Sequence, residues 1–367
     1  MSTESKHLVI AAAGTGGHVM PGLAVADVMK ARGWQVSWIG TTTGMESGLV
    51  AKRGLPFKGL NFQGVRGKGP IGAVKGALKL FGAYWQSRGL LKNLRPDVIF
   101  STGGYVAVPV GFAGRDKKLP LVLMNCDADL LMSTNTLMPF CESLACGFAG
   151  GARTFAKSKG HTTGNPVRSD IVAIDAPEVR YEGRTGPLRL FVFGGSLGAQ
   201  VFNEKMPEVM AAIPEAERPE IIHQTGKNRD AAVRDAYEKL GVKATVLPFI
   251  DDMAERYREC DAVICRAGAT SLSELCAAGV PAILVPLVLK TTAHQMGNAR
   301  YLAERDAAIL VPQGDFSVEK VSGMIGALTR ERLLEIAKNA RAIAKPDAAE
   351  AVADLIEAAY DKKHARA

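Results

Sequence analysis

Four times in this chain a short apolar run ends in a turn of small residues and gives way at once to a helical pattern. The first is "HLVIAAAGTGG" (7–17), followed by "PGLAVADVMKARG". "DVIFSTGGYVAVPVGF" (97–112), "LRLFVFGGSLGAQVFNEKMPEVM" (188–210) and "DAVICRAGATSLSELCAAG" (261–279) repeat the design. Parallel strands cannot be joined by a tight hairpin, so each needs a crossover long enough to hold a helix. Alternation at this spacing therefore predicts an α/β chain with doubly wound parallel sheets. With 367 residues and a length prior of roughly 150 residues per domain, two Rossmann-like domains are expected.

The seam is placed near "TTGNPVRSD" (162–170), where Gly-Asn-Pro punctuates the chain, giving domains 1–163 and 164–344. The closing "KPDAAEAVADLIEAAY" (345–360) sets Val352, Leu355, Ile356 and Ala359 at helical spacing, and segment 345–367 is free to pack back on the first domain. Ligands of open α/β sheets lie beyond the strands' carboxyl ends. The glycine turns of the two sheets are accordingly expected to face across a cleft, with His18 in one wall and Ser196 and Arg266 opposite.

Charge is distributed unevenly. Residues 1–163 hold 19 Lys/Arg against 8 Asp/Glu, whereas the remainder holds 26 against 29. Between Ser47 and Pro96 there are ten basic residues and no acid. A basic half points to an anionic partner, phosphates or a membrane surface. No segment reaches the ~18 uninterrupted apolar residues of a membrane span, and "MSTESKHLVIAAAG" has too short an apolar run for a signal peptide. Six cysteines without C-x-x-C or zinc spacing read as buried, reduced thiols.

The turns do not match the common nucleotide fingerprints. Val19 stands where G-x-G-x-x-G needs its third glycine, and no G-x-x-x-x-G-K-[ST] occurs. What remains is a set of helix N-termini suited to a diphosphate. His18 is either a helix-start residue bonded to a nearby carbonyl or a general base. Glu274 closes an S-x-x-E box with Ser271, so it either caps a helix or accepts from a nucleotide ribose. Asp127-Ala128-Asp129 is a weak D-x-D match with no further metal ligand beside it. In "IGAVKGALKLFGAYWQ" (71–86), Ile71, Val74, Leu78, Phe81 and Trp85 form one helical stripe flanked by Lys75 and Lys79. That stripe fits an anionic lipid surface or core packing, and Gly72, Gly76 and Gly82 weaken the helix.

Taken together, "GTGGHVMPGLAVA", "GMESGLVAKRG", "GVRGKG", "TGGYVAVPV", "TGNPVRSDI", "GGSLGAQVFNE", "FIDDMAERYRECDAVICRAGATSLSELCAAGVPAILVP" and "HQMGNA" resemble the MurG family almost end to end. The resemblance implies a GT-B fold of two Rossmann-like domains facing across a cleft. It implies inverting transfer of GlcNAc from UDP-GlcNAc to the 4-hydroxyl of undecaprenyl-linked MurNAc-pentapeptide, lipid I to lipid II, in peptidoglycan synthesis. His18, beside Thr15, Gly16 and Gly17, is implied as the base region; Tyr105 lines the same cleft. Arg168 and Ser196 are implied as donor contacts, Ile250 meets uracil, and Arg266 through Ala269, Thr270 and Ser271 hold nucleotide and diphosphate. Glu274 takes the ribose, and His294-Gln295 reach the donor sugar. No cofactor or metal is required beyond UDP-GlcNAc as donor substrate. The implied setting is peripheral, at an anionic membrane surface on the cytoplasmic face of the inner membrane. Further cell-wall synthesis proteins are open as partners, and nothing supports nucleic acid.

The sequence departs from the family at Met124-Asn125-Cys126-Asp127, where His-Glu-Gln-Asn is usual, and "LVLKTTAHQ" lacks the acid common before the glutamine. These changes leave the donor site largely intact and bear more on the identity of the acceptor. They keep open a UDP-sugar transferase for another lipid acceptor. A UDP-GlcNAc 2-epimerase-like enzyme would need no lipid and leaves the basic apolar stripe unexplained. A nucleotide-binding scaffold without catalysis would not need His18 and Glu274.

Overall fold

The computed structural model describes residues 5–14, 16–62, 69–195, 197–288 and 294–365, with backbone alone at 69–73 and 151–152. The chain divides into two compact units, Met1–Val167 with Lys345–Ala367, and Arg168–Ala344. The first contains strands β1 (His7–Ala12), β2 (Gln35–Thr41), β3 (Phe57–Leu60), β4 (Val98–Gly103), β5 (Leu121–Asn125), β6 (Ser143–Cys146) and β7 (Gly160–Thr162). Between them run α1 (Gly16–Ala31), α2 (Glu46–Lys52), α3 (Gly69–Leu94), α4 (Ala107–Asp116), α5 (Met132–Leu137) and α6 (Gly151–Ala156). The sheet order is β3-β2-β1-β4-β5-β6-β7, and every neighbouring pair is parallel.

The second unit opens with α7 (Ser169–Val172) and α8 (Pro177–Tyr181). Its strands are β8 (Arg189–Phe193), β9 (Glu220–Gln224), β10 (Thr245–Leu247), β11 (Ala262–Cys265), β12 (Ala282–Leu284) and β13 (Ile309–Leu310). They lie in the order β10-β9-β8-β11-β12-β13, again wholly parallel. The helices are α9 (Gln200–Ala211), α10 (Asp230–Lys239), α11 (Met253–Glu259), α12 (Ala269–Ala278), α13 (His294–Ala303), α14 (Val318–Gly326) and α15 (Arg330–Ile343). The last helix, α16 (Ala348–His364), belongs to the first unit. There Arg32 bonds Asp354 and Glu357 at 2.8 and 2.7 Å, and Trp34 meets Tyr360 edge to face at 5.3 Å.

Both sheets reverse strand order once, between β1 and β4 and between β8 and β11, which is where an α/β sheet opens a crevice for ligand. The strands beside those points are buried throughout, as Leu8–Ala12 and Val98–Gly103 show, because helices cover both faces. The first helix starts at Gly16 rather than at Pro21, so His18 lies within its first turn. Pro21 is tolerated there because its missing N–H forfeits a single bond near the helix start. One residue on, Gly22 lets α1 close on the sheet, since a Cβ there would press on the Trp38 ring, whose Nε1 donates to Ala12 O at 2.9 Å.

α3 runs unbroken past Gly76 and Gly82. It buries Ala83, Ser87 and Leu91 and turns Val74, Leu78, Phe81 and Trp85 outward, Leu78 66% and Phe81 61% exposed. The core-packing reading of that stripe is thus overturned for these four residues; Lys75 and Lys79 are exposed as well, and the Ile71 side chain lies outside the described residues. All six cysteines are buried and unpaired. Among the described residues no helix is long and apolar enough to cross a membrane.

Candidate active site

In the first unit the crevice between β1 and β4 is built around His18. Its Nδ1 lies 2.9 Å from Thr102 O at the end of β4, and Thr102 Oγ1 donates back to His18 O at 2.6 Å. A carbonyl only accepts, so Nδ1 carries a proton, and in the neutral form of the ring the lone pair is the one on Nε2. The glycines beyond Thr102 make this seat: a Cβ on Gly103 would stand 3.3 Å from the ring, and one on Gly104, where φ is +81°, would overlap the Ala13 carbonyl. Ser101 Oγ donates to Ala11 O at 2.6 Å, tying the two strand ends together. Thr102 and Ser101 were not singled out from sequence; two hydroxyls directly before a glycine pair at a strand end are the signal that marks them.

Gly16 and Gly17 share the first helical turn with His18, while Thr15 lies outside the described residues. Tyr105 follows the second glycine and is 40% exposed. Asp127 is buried in a turn that Asn125 clamps, donating from Nδ2 to Asp127 O (2.7 Å) and Asp129 O (2.9 Å) and accepting from Leu131 N (3.0 Å). The unusual Met124–Asp127 segment therefore carries its own scaffold. Among the described residues no group of three or more His, Cys, Asp and Glu is arranged to hold a metal ion.

The second unit gathers different chemistry. α12 starts at Ala269 with Gly268 as its cap, so Ser271 and Glu274 lie inside the helix and the capping-box reading is overturned. Glu274 instead meets Tyr257 Oη at 3.4 Å and Arg168 Nε at 3.8 Å. Burial, with Asp170 adding its charge, pushes this carboxyl up to about 7 against the pull of Arg168 and Tyr257. Arg168 stands before α7, its Nε also 3.6 Å from Asp170.

Arg266 donates to Val285 O at 2.9 Å and lies over the Phe202 ring; burial lowers its pKa. Gln295 accepts from Leu287 N at 2.9 Å, and Asn298 donates to Ala267 O at 3.1 Å. Arg266, Gln295 and Asn298 thus brace the segments after β11 and β12. His294 opens α13 beside them, Ala269 is buried, and Thr270 and Ser271 occupy the first turn of α12. Ile250 is buried just past β10; Ser196 lies outside the described residues.

The first turns of α9, α12 and α13 contain no acid, whereas α7, α8, α10, α11, α14 and α15 each carry one. An anion at a helix N-terminus needs the amides unshielded by carboxylate. The helices that follow the glycine turn and the strands β11 and β12 meet that condition.

Known proteins resemble this chain over nearly its whole length. The glycosyltransferase family 28 N-terminal domain matches residues 8–146, and the family 28 C-terminal domain matches residues 189–357. A Chromobacterium violaceum protein is 50% identical over 355 residues, 96% of this chain and 98% of its own length. It is named UDP-N-acetylglucosamine--N-acetylmuramyl-(pentapeptide) pyrophosphoryl-undecaprenol N-acetylglucosamine transferase, as is a Janthinobacterium relative at 47% over 352 residues, 96% and 98% of the two chains. The crystal structure of Acinetobacter baumannii MurG superposes with a TM-score of 0.82 at 34% identity, covering 96% of this chain and 99% of that one. This chain belongs to the MurG family of glycosyltransferase family 28. Its two parallel units are those of a GT-B glycosyltransferase. In MurG-family terms, the unit matched by the N-terminal model holds His18 and the unit matched by the C-terminal model holds Glu274.

Proposed function

We propose that this protein transfers N-acetylglucosamine from UDP-GlcNAc to the 4-hydroxyl of undecaprenyl-diphosphoryl-MurNAc-pentapeptide, with inversion at the anomeric carbon. The observation that carries the chemistry is the His18–Thr102 bond, which holds a proton on Nδ1 and so makes Nε2 the basic nitrogen of the neutral ring. In this reading Nε2 takes the proton of the acceptor hydroxyl as its oxygen attacks C1. The C1–O bond to the diphosphate breaks with its electron pair, and UDP departs. The amides opening α9 and α12, free of neighbouring carboxylates, stabilise the charge on the leaving group, with Arg168 as the nearby cation. Glu274 accepts from the ribose hydroxyls, and Ile250 offers an apolar wall to uracil. Tyr105 and the Asn125-clamped turn with Asp127 form the acceptor side.

The membrane reading is supported by the outward face of α3. Trp85 packs edge-on against Phe81 at 6.1 Å and carries Arg88 over its ring at 5.4 Å. An apolar face among exposed lysines fits insertion at the boundary of an anionic leaflet, where the lipid-linked acceptor resides. In this reading the protein sits peripherally at the cytoplasmic face of the inner membrane. Phe81→Ser with Trp85→Ser is expected to lower binding to phosphatidylglycerol vesicles by about tenfold or more, from ~1–2 kcal/mol per apolar side chain. Unchanged cosedimentation would remove the surface from α3.

The reaction itself is tested by initial rates with radiolabelled UDP-GlcNAc and lipid-linked MurNAc-pentapeptide, with diacylglycerol as the control acceptor. Transfer to the muramyl lipid alone is expected. Transfer to diacylglycerol would show that the altered Met124–Asp127 segment reads another lipid.

A further inference from the structure

The carboxylate of Glu274 is gripped from outside its own helix. α11 sends Tyr257 wholly into the core, where its ring packs against Phe191 and Phe193 at centroid distances of 6.3 and 6.4 Å. Of these three rings only Tyr257 brings a hydroxyl, and a buried hydroxyl is costly unless it finds an acceptor. Its recorded partner is Glu274 Oε2, 3.4 Å away, a separation that can shorten once a ligand orders the carboxylate. The phenol is a donor at any working pH, because burial holds its pKa well above 10.

On the other side, Arg168 Nε stands 3.8 Å from Oε1; this nitrogen is buried and makes no hydrogen bond at that range. One oxygen of Glu274 is thus engaged from the core and the other lies toward the cation. We propose that Tyr257 is a positioning residue for donor recognition: its hydroxyl anchors Oε2 so that Oε1 is the oxygen presented to the ribose. This rests on the reading of Glu274 as the ribose acceptor.

The groups facing Glu274 are Arg168 and Asp170 at α7 and Tyr257 on α11. Cys260 and Cys265 lie near Tyr257, both kept as thiols by burial. On α15, Arg341 donates to Ala277 O and Ile174 O. A hydroxyl donating to Oε2 favours the carboxylate over the acid, so its loss moves the titration of Glu274 upward. UDP-GlcNAc affinity should then fall as pH drops through about 7 in the wild type, and at a higher pH in the variant.

Tyr257→Phe keeps the ring and its packing. Calorimetric titration with UDP-GlcNAc is run from about pH 6 to about pH 8.5, with Tm measured alongside. The expected result is a dissociation constant about three- to tenfold weaker at neutral pH. It should return toward wild type at the alkaline end, with the donor KM raised, kcat retained and Tm little changed. In a Glu274→Ala background the same substitution should add nothing. A loss of equal size at every pH, or one that persists without Glu274, would make Tyr257 a packing residue and overturn the proposal. Unchanged UDP-GlcNAc affinity in Glu274→Ala alone would overturn the ribose reading itself, a separate failure.

Discussion

The two units are built on one plan and carry different side chains at their crevices. At the amino edge they agree in detail. Asp97, just before β4, accepts from His7 N at the head of β1 (2.8 Å); Asp261, just before β11, accepts from Arg189 N at the head of β8 (2.9 Å). At the carboxyl edge they part. The first unit seats an imidazole against the end of its fourth strand, and the second offers acid-free helix ends with a buried carboxylate between a cation and a phenol. The repeated fold supplies a crevice twice; what each crevice does is decided by the few side chains set on it.

The sharpest way to break that division is kinetic. His18→Ala should lower kcat by ~10²–10⁴ while leaving the UDP-GlcNAc KM nearly unchanged, as expected for removal of a general base. Glu274→Ala should do the reverse, raising the donor KM by about tenfold with a smaller change in kcat. Steady-state rates at saturating acceptor separate the two. If both variants lost donor affinity equally, His18 would be a structural residue of its turn and the contrast would fail.

Stability offers a second contrast. Asp261 is fully buried and, besides Arg189 N, takes Arg184 at 2.6 Å and Arg330 at 3.1 Å. Asp261→Asn leaves two guanidinium groups short of their counter-charge and should cost about 2–4 kcal/mol in urea unfolding. His223, on β9, adds a dependence on acid. Its ring is wholly buried with Nδ1 3.0 Å from Tyr237 Oη, and burial holds its pKa down to about 4 from 6.5. The unfolded chain binds this proton first, so the contribution is present above about 6.5 and is lost as pH falls toward about 4. Between neutral pH and about pH 4.5 that amounts to about 2–3 kcal/mol, which His223→Phe should abolish. Amide exchange at acid pH should show β9 and α10 opening before β1 and β4. Opening in the reverse order would assign acid sensitivity to the first unit.

The alternation of strands and helices was legible because it is local: each apolar run and each turn announces itself within about twenty residues. His18 was legible as a residue at a helix start, but its tautomer depends on Thr102, 84 positions away, and no local pattern carries that. Glu274 shows local pattern misleading. Ser271 and Glu274 have capping-box spacing, yet Gly268 already stands at the cap position, and the residues that engage Glu274 come from α11 and from the position before α7. The stripe on α3 has clear periodicity, but periodicity does not say which face is out. The small buried residues Ala83 and Ser87 decide it by letting α3 close on its own unit with the opposite face.

The smallest expected effect tests the comparison most closely, because it uses the position at which the units look alike. Asp97 is half-buried, and its recorded bond is the one from His7 N. Asp97→Asn keeps an acceptor for that amide and strands no arginine, so it should cost only about 1 kcal/mol. Urea unfolding of this variant beside Asp261→Asn gives the ratio directly. A cost well below that of Asp261→Asn means that the shared aspartate is a strand-edge acceptor in both units, to which the second has added a charge network binding α15 to its sheet. Equal costs would mean that the amide bond at the switch point carries the energy, and that Arg184 and Arg330 contribute little beyond solvation of a charge they happen to surround.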